Sequence, residues 1–282
     1  MTLRSPQFTT ALQSLYRCIG PQAHLGATHY ATAAIDIGAG VSNPAHTAPS
    51  NRFYKSVGIR QVEGKDTFEV TLDGRPLKSP ARKEFSLPTK SLALAIAAEW
   101  EWQDSKRVRP FTMPMMTLAS TAIDQPRSPQ QVISTLTEWL HTDALCCREQ
   151  DGPVADLQAL AYNPILEWAR QELQADIVVS ESILGAQQPE DVIHIVSKVL
   201  AGLDPWHLTA LDALAGACRS VVLGFAVLKG QLKVKDAVAA ARLEEEWQMQ
   251  EWGLVEGGHD IDIADINVRV AAPALFLQHL RR

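Results

Sequence analysis

The segment RLEEEWQMQEWG, residues 242–253, has the clearest capacity for chemistry, because three carboxylates stand together among large apolar side chains. On one helix running from about residue 234 to Gly253, the helical period places Glu245 inside an apolar stripe. The other members of the stripe are Val234, Val238, Ala241, Met249 and Trp252. An ionised carboxylate in such a stripe needs a partner, because burying it alone costs several kcal/mol.

Three roles for Glu245 fit this pattern. It could form an internal ion pair, for which Arg219 is the candidate, it could be catalytic, or it could contact another protein. Catalysis would need a second acid, base or nucleophile, and the pair His259-Asp260 could supply one in a cleft with Glu245. The commoner role of such a pair is to cap a helix.

The two neighbouring glutamates are predicted to point outward. Glu246 follows Arg242 by four residues, which predicts an i,i+4 ion pair on the outer face of the helix. Glu244 points outward as well, and Gly253 has the position of a residue that ends the helix.

Helices must position this segment, and the predicted helix starts share one sequence feature. A capping residue precedes a proline at Ser128-Pro129, Asn163-Pro164 and Asp204-Pro205. The apolar period after Asp204 predicts a long central helix over 206–228, with Arg219 on its polar side. A final helix over about 261–280 should be broken or kinked near Pro273.

The part of the chain before these helices reads as strands. Residues 52–88 contain β-branched and alternating runs, and Asp73-Gly74 between two of them predicts a hairpin. Thr89 is placed to cap a helix that reaches about residue 103, in which Trp100 and Trp102 should be packing anchors. The predicted fold class is therefore α+β, with a small mostly β N-terminal domain over 51–88 and a larger α-helical domain over 89–282.

Composition excludes several classes of protein. A net charge of −6 and a pI near 5.8 argue against nucleic-acid binding. Asp212 and Arg219 interrupt the longest apolar run, so no membrane insertion is expected. The chain has no dinucleotide-binding or phosphate-loop glycine motif, no nucleophile elbow and no zinc-protease motif. The four cysteines show no zinc-like spacing and indicate a reducing compartment.

The first 35 residues contain no Asp or Glu, carry Arg4 and Arg17, and are rich in Ala, Thr and Ser. This composition predicts an organellar transit peptide, and we place the end of the leader between about residues 30 and 50.

Several segments, in order along the chain, resemble the mitochondrial chaperone family of the F1-ATPase α subunit, called ATP synthase F1 complex assembly factor 2. They are RFYKSVGI (52–59), LDGRPLKSP (72–80), LALAIAAEWEWQ (92–103), MPMMTLASTAID (113–124), NPILEWA (163–169) and ARLEEEWQMQEWGLVEGGHD (241–260). The resemblance covers essentially the whole chain from residue 51 to 280.

The resemblance implies a chaperone of the mitochondrial matrix that has no enzymatic activity and no cofactor. Its partner would be the unassembled α subunit, bound transiently until the F1 hexamer closes, and the protein itself would be a monomer. The partner-binding residues implied are Glu244, Glu245, Glu246, Trp252, Glu256 and Asp260. We add Met249, which lies beside Glu245 in the apolar stripe. The competing interpretation is an organellar metabolic enzyme with a cleft around Glu245, His259 and Asp260.

Overall fold

The computed structural model describes residues 51–182, 184–255 and 257–281. The predicted leader over 1–50 and Glu256 lie outside the described residues. The described chain forms two compact units. The sheet unit comprises residues 51–129, 204–210 and 272–281, and the helical unit comprises 130–182, 184–203, 211–255 and 257–271. The described residues are 59% helical, with a small antiparallel sheet before most of the helices, which confirms the α+β class. The domain boundary at residue 88 stays a prediction.

The sheet consists of β1 (Val57–Gln61), β2 (Phe68–Leu72) and β3 (Arg75–Pro76), paired antiparallel in the order β1-β2-β3. Asp73 and Gly74, with φ of 49° and 77°, form the turn between β2 and β3, so the predicted hairpin is confirmed. Positive φ at both central residues is the conformation that makes Asp-Gly a favoured hairpin turn. The Asp73 carboxylate also accepts the backbone N–H of Ser56 at 2.9 Å, which joins the turn to the start of β1.

Helix α1 (Lys90–Glu101) packs on this sheet. The Thr89 hydroxyl accepts the N–H of Leu92 at 3.2 Å, as the sequence predicts. Leu92, Ile96 and Trp100 are buried, but the Trp102 side chain is 87% exposed, so the packing role predicted for Trp102 is wrong. Two residues rotate a helix by more than half a turn, which points Trp102 away from the face that Trp100 buries.

Glu99 supplies the cap of the next helix, α2 (Pro114–Asp124). Met113 provides no side-chain cap, and the Glu99 carboxylate accepts the N–H groups of Met115 and Met116 at 2.7 and 2.8 Å. Burial raises the pKa of Glu99 to about 7, against the opposing effect of these two hydrogen bonds. A titratable group therefore closes the end of a helix.

The remaining helices are α3 (Pro129–Trp139), α4 (Pro153–Leu173), α5 (Glu190–Ala201), α6 (Pro205–Cys218), α7 (Val221–Leu228), α8 (Val234–Ala241), α9 (Leu243–Trp252) and α10 (His259–Leu280). The starts predicted at Pro129 and Pro205 are confirmed, and Asp204 accepts the N–H of His207 at 3.0 Å. The start predicted at Pro164 is wrong, because Pro164 lies inside α4, which begins at Pro153. Helix α10 continues through Pro273.

The predicted central helix over 206–228 is two helices. The first of them, α6, ends at Cys218, and Arg219 after it adopts a left-handed conformation with φ of 53°. Ser220 then caps α7 by accepting the N–H of Leu223 at 2.9 Å. The fully buried Asp143 carboxylate accepts the N–H of Val222 at 3.1 Å, and burial raises its pKa. The apolar period continues across the break because every residue of α7 is buried.

The predicted helix over 234–253 is likewise divided, since Arg242 (φ −109°, ψ 12°) separates α8 from α9. The apolar stripe that placed Glu245 in line with Val238 therefore does not continue as one helical face. Gly253 ends α9 with φ of 87°, and its N–H donates to the Met249 carbonyl at 2.9 Å, as predicted.

We expect Glu99 to make stability depend on pH. Its pKa of about 7 exceeds the unfolded value of 4.5, so the folded chain holds this proton more tightly. The resulting stabilisation is complete below about pH 4.5 and is lost as the pH rises through 7. Between pH 5 and 8, urea unfolding should show the wild type losing on the order of 2 kcal/mol relative to Glu99→Gln, which cannot titrate. A constant difference would contradict the raised pKa.

Candidate functional site

Glu245 is paired with Arg219, as the sequence predicts. The Arg219 Nη2 donates a hydrogen bond to Glu245 Oε1. The pair lies near the surface, because the Arg219 side chain is 64% exposed and that of Glu245 is 36% exposed. Arg219 reaches it from the left-handed position between α6 and α7, where its carbonyl accepts the Ala144 N–H at 3.1 Å. A left-handed conformation is unfavourable for a residue with a side chain, so the backbone contacts there hold it in place.

The second guanidinium at this site belongs to Arg242, whose side chain is only 6% exposed. Its Nε donates to Glu246 Oε1 at 3.2 Å, and its Nη1 lies 3.9 Å from Glu245 Oε2. The predicted i,i+4 pair is therefore confirmed, but it involves a buried cation and is not confined to an outer face. Glu245 Oε2 and Arg242 Nη2 are both buried without a hydrogen-bond partner among the described residues. Glu245 is thus held between one exposed and one buried arginine.

Two residues of α4 hold this network in place through hydrogen bonds. Gln158, which is 2% exposed, donates to Glu244 Oε1 at 2.8 Å and accepts the Glu149 N–H at 2.9 Å. The Tyr162 hydroxyl donates to the Ala240 carbonyl at 3.1 Å, at the end of α8. Burial, followed by the charge of Glu244, raises the pKa of Tyr162. Glu244 is exposed as predicted, yet it is also fixed to a buried side chain.

Sequence reasoning missed both supports. The indication in the sequence is that a glutamine and a tyrosine share one helical face with Ala161, Ile165 and Leu166. A polar side chain on a buried helical face requires a hydrogen-bond partner, but the spacing does not show which one.

The C-terminal end of α9 carries an exposed apolar group. The rings of Trp247 and Trp252 meet edge to face, with centroids 5.9 Å apart, and Trp252 is 75% exposed. Leu254 and Val255, which follow the helix, are 57% and 61% exposed. Met249 is half-buried. We name the exposed group, Trp252, Leu254 and Val255, the apolar tip.

The charge around the apolar tip has one sign. No lysine or arginine occurs between Arg242 and Arg269, an interval that contains five glutamates and three aspartates. Glu251 and Asp260, on either side of the tip, are exposed. The described helical unit as a whole contains 9 lysines and arginines against 20 aspartates and glutamates. The apolar tip therefore lies in a strongly acidic part of the chain, where the electrostatic potential favours positively charged partners.

The arrangement expected of a catalytic cleft is not assembled from the predicted residues. The His259 ring accepts the Val255 N–H through Nδ1 at 3.2 Å, which holds the loop before α10. Among the described residues, no hydrogen bond or ion pair joins Glu245 to His259 or Asp260. Within that same part of the chain, no group of three or more His, Cys, Asp and Glu is placed to hold a metal ion. No described helix is both long and apolar enough to cross a bilayer.

Two carboxylates with raised pKa values close helix ends instead. The Glu99 carboxylate caps α2 from α1, and the Asp143 carboxylate bonds the first turn of α7 from a distant loop. In both cases burial raises the pKa of the acid. An anion at a helix N-terminus is favoured by the helix dipole, which offsets part of the desolvation. These carboxylates are thus structural, although a perturbed acid is also a usual sign of a catalytic group.

The chain is similar to solved structures and to a known protein family. The crystal structure of Atp12 from Paracoccus denitrificans superposes with a TM-score of 0.74 at 32% identity, over 82% of this chain and 98% of that one. The chain belongs to the ATP12 chaperone family. The sequence model of this family, described as ATP12 chaperone protein, matches residues 51–170.

Two relatives of this ATP12 family member are named as mitochondrial proteins. Protein atp12 of Schizosaccharomyces pombe is 29% identical over 247 residues, covering 83% of this chain and 84% of its own length. Protein ATP12 of Saccharomyces cerevisiae is 27% identical over 278 residues, covering 81% and 85%. The family indicated by the sequence motifs is therefore confirmed.

In this ATP12 family member, the two arginines should contribute unequally to stability. Arg242→Gln leaves two glutamates without their buried partner, so we expect a loss of about 2–4 kcal/mol in the free energy of unfolding. Arg219→Gln removes a largely exposed pair and should cost less than about 1 kcal/mol. Urea unfolding of the two variants measures the difference, and equal losses would show that Arg242 is not the centre of the network.

Proposed function

We propose that this protein is an assembly chaperone that binds the unassembled α subunit of mitochondrial F1-ATPase. It acts in the mitochondrial matrix, shields the surface that the α subunit later presents to the β subunit, and leaves when the hexamer forms. It requires no cofactor and catalyses no reaction. Membership of the ATP12 chaperone family and the mitochondrial relatives support this proposal.

The observation that carries the proposal is the apolar tip in its acidic surroundings. A chaperone must cover an apolar surface and yet release it without nucleotide hydrolysis, so its contact must be adhesive but limited in area. Trp252, Leu254 and Val255 provide such a contact. The carboxylates around them favour clients with basic residues beside the apolar surface, and they disfavour clients with acidic ones.

The proposed partner-binding residues are those given by the sequence analysis. Trp252 and Asp260 are exposed, and the half-buried Met249 lies on the same helix as Trp252. Glu244, Glu245 and Glu246 form the acidic side of α9, and Glu256, outside the described residues, lies within the same acidic stretch. We assign to Glu245 the contact with a basic residue of the α subunit.

Glu245 can make that contact only if Arg219 moves. Its Oε1 is bonded to Arg219 and its Oε2 is buried near Arg242, so both carboxylate oxygens are already occupied or enclosed. Displacing Arg219 is inexpensive, because an exposed ion pair contributes at most about 1 kcal/mol. Arg242, 3.9 Å from Glu245 Oε2, holds the carboxylate in position during the exchange. Arg219 therefore holds the place of the client's basic residue in the free chaperone.

We expect the protein to keep isolated F1 α subunit soluble in the absence of ATP and to release it when β subunit is added. Trp252→Ala should weaken α-subunit binding by about tenfold or more, because an exposed aromatic anchor is removed from the centre of the contact. Glu245→Gln should also weaken binding. Co-sedimentation and light scattering of the α subunit measure both effects.

Trp102→Ala is the matched control, since Trp102 is also a highly exposed tryptophan and lies in the sheet unit. Folded protein that leaves the α subunit to precipitate would reject the proposed client. Retention of full binding by Glu245→Gln would reject the role of Glu245 alone.

Removing Arg219 should tighten client binding. Arg219→Ala abolishes the competition for Glu245, so we expect the dissociation constant for the α subunit to fall by up to about fivefold. Arg219→Ala combined with Glu245→Gln should lose this gain. Titration of labelled α subunit at two salt concentrations measures the change. Weaker binding by Arg219→Ala would show that Arg219 positions α9 instead of competing with the client.

A further inference from the structure

The sheet unit has a charge opposite to that of the helical unit. Its described residues contain 14 lysines and arginines against 10 aspartates and glutamates, whereas the helical unit has 9 against 20. The negative charge of the whole chain therefore hides a basic region. The client contact proposed at the acidic apolar tip gives this basic region no role.

Exposed aromatic side chains gather at the C-terminal end of α1. Trp102 is 87% exposed, Phe53 is 69% exposed and Phe111 is 47% exposed. Contact between such rings and water is unfavourable, so a partner that covers them gains free energy in proportion to the area buried.

The backbone around these three side chains is fixed. The Arg52 guanidinium donates to the carbonyls of Glu101 and Gln103 at 3.2 and 2.9 Å, which fastens the segment containing Phe53 to the end of α1. The buried Gln103 accepts the Arg109 N–H at 2.6 Å and donates to the Thr112 hydroxyl at 3.0 Å. The loop from Trp102 to Phe111 is thereby closed on the same helix end, to which the segment of Phe53 is also bound. The Phe53 ring itself packs edge to face on Trp100, with centroids 6.5 Å apart.

Four cations lie at or near this loop, and two of them are partly balanced by acids. Arg52 lies 3.7 Å from Glu101, and Arg109 lies 3.7 Å from Asp104. The side chains of Lys106 and Arg107 are exposed and form no close ion pair with any residue that the structure describes, although the charge of Lys106 helps to lower the pKa of Asp104. We name Phe53, Trp102, Lys106, Arg107 and Phe111 the aromatic-basic patch.

We propose that the aromatic-basic patch binds the surface of anionic phospholipid membranes. Trp side chains favour the interface between water and lipid, where the ring is buried and the indole N–H stays hydrated, and Phe side chains enter the acyl region. Lys106 and Arg107 pair with anionic headgroups, each strengthening binding by about fivefold. The charge of the patch complements such a surface, whereas the acidic helical unit is repelled by it.

The charge beside Trp102 distinguishes it from the other highly exposed tryptophan, Trp252. Trp102 is followed by the cations Lys106 and Arg107, whereas Trp252 lies in a stretch without lysine or arginine. An anionic surface therefore favours Trp102 over Trp252. A fluid membrane needs no complementary shape, because lipids rearrange around an inserted ring. Two cations and three aromatic rings give weak, reversible, salt-sensitive attachment and not permanent anchoring.

The test is co-sedimentation of the full chain with phosphatidylcholine vesicles that do or do not contain phosphatidylglycerol as about one-third of their lipid. All proteins carry Arg4→Gln and Arg17→Gln, because the predicted leader is itself basic. We expect binding to the anionic vesicles alone, and loss of that binding near 0.5 M salt, where the screening length is only a few ångströms. Lys106→Ala with Arg107→Ala should reduce the partition coefficient by about twentyfold, and Trp102→Ala by about tenfold.

Matched variants separate the patch from overall charge and hydrophobicity. Lys198→Ala with Lys233→Ala makes the same change in net charge within the helical unit, and Trp252→Ala removes an exposed tryptophan there. Both should keep vesicle binding, and thermal unfolding confirms that every variant is folded. Absence of binding to anionic vesicles at low salt would overturn the proposal, as would equal losses in patch and control variants.

The result does not depend on the proposed client. If the patch variants lost α-subunit binding while the parent protein ignored vesicles, the patch would be a protein contact and the lipid proposal would be rejected. Retention of α-subunit binding by Trp102→Ala, together with loss of vesicle binding, would support both proposals separately.

Discussion

The buried guanidinium of Arg242 constrains the candidate site more than any other group. It lies at the break between α8 and α9, with only 6% of its side chain exposed. A charge so enclosed requires carboxylates around it, since an unpaired buried ion costs several kcal/mol. Glu245 and Glu246 of the first turn of α9 meet that need at i,i+3 and i,i+4 from Arg242. The start of α9 is therefore tied to a buried cation.

The orientation of α9 in turn decides what the protein presents to its surroundings. Gln158 and Tyr162 of α4 fix the neighbouring Glu244 and the end of α8 by hydrogen bonds, so the N-terminal half of α9 is held inside the helical unit. The other half carries Trp252 outward, and Gly253 stops the helix there. A rigid base and an exposed tip on one short helix suit a contact that must grip a client and also release it. Rigidity limits the entropy lost on binding, and small area limits affinity.

Several features of the protein follow from the amino-acid sequence alone. They are the α+β class, the hairpin at Asp73-Gly74, the helix cap at Thr89 and the helix starts at Pro129 and Pro205. Each of these local features depends on a few adjacent residues, whose geometry acts the same way in any fold. The pairing of Arg219 with Glu245 is also predictable, because an acid expected on an apolar face needs a base and few bases are available.

The positions of helix breaks and the burial of polar groups depend on the tertiary structure. The apolar period runs unbroken through Arg219 because α6 has a buried face and α7 is buried throughout, so periodicity does not reveal the left-handed residue between them. The spacing places Arg242 on an outer face, yet packing buries it and makes it the partner of two glutamates. The same holds for the burial of Gln158 and for the exposure of Trp102. Burial depends on which distant segments arrive at a surface, and that is a property of the folded chain and not of local spacing.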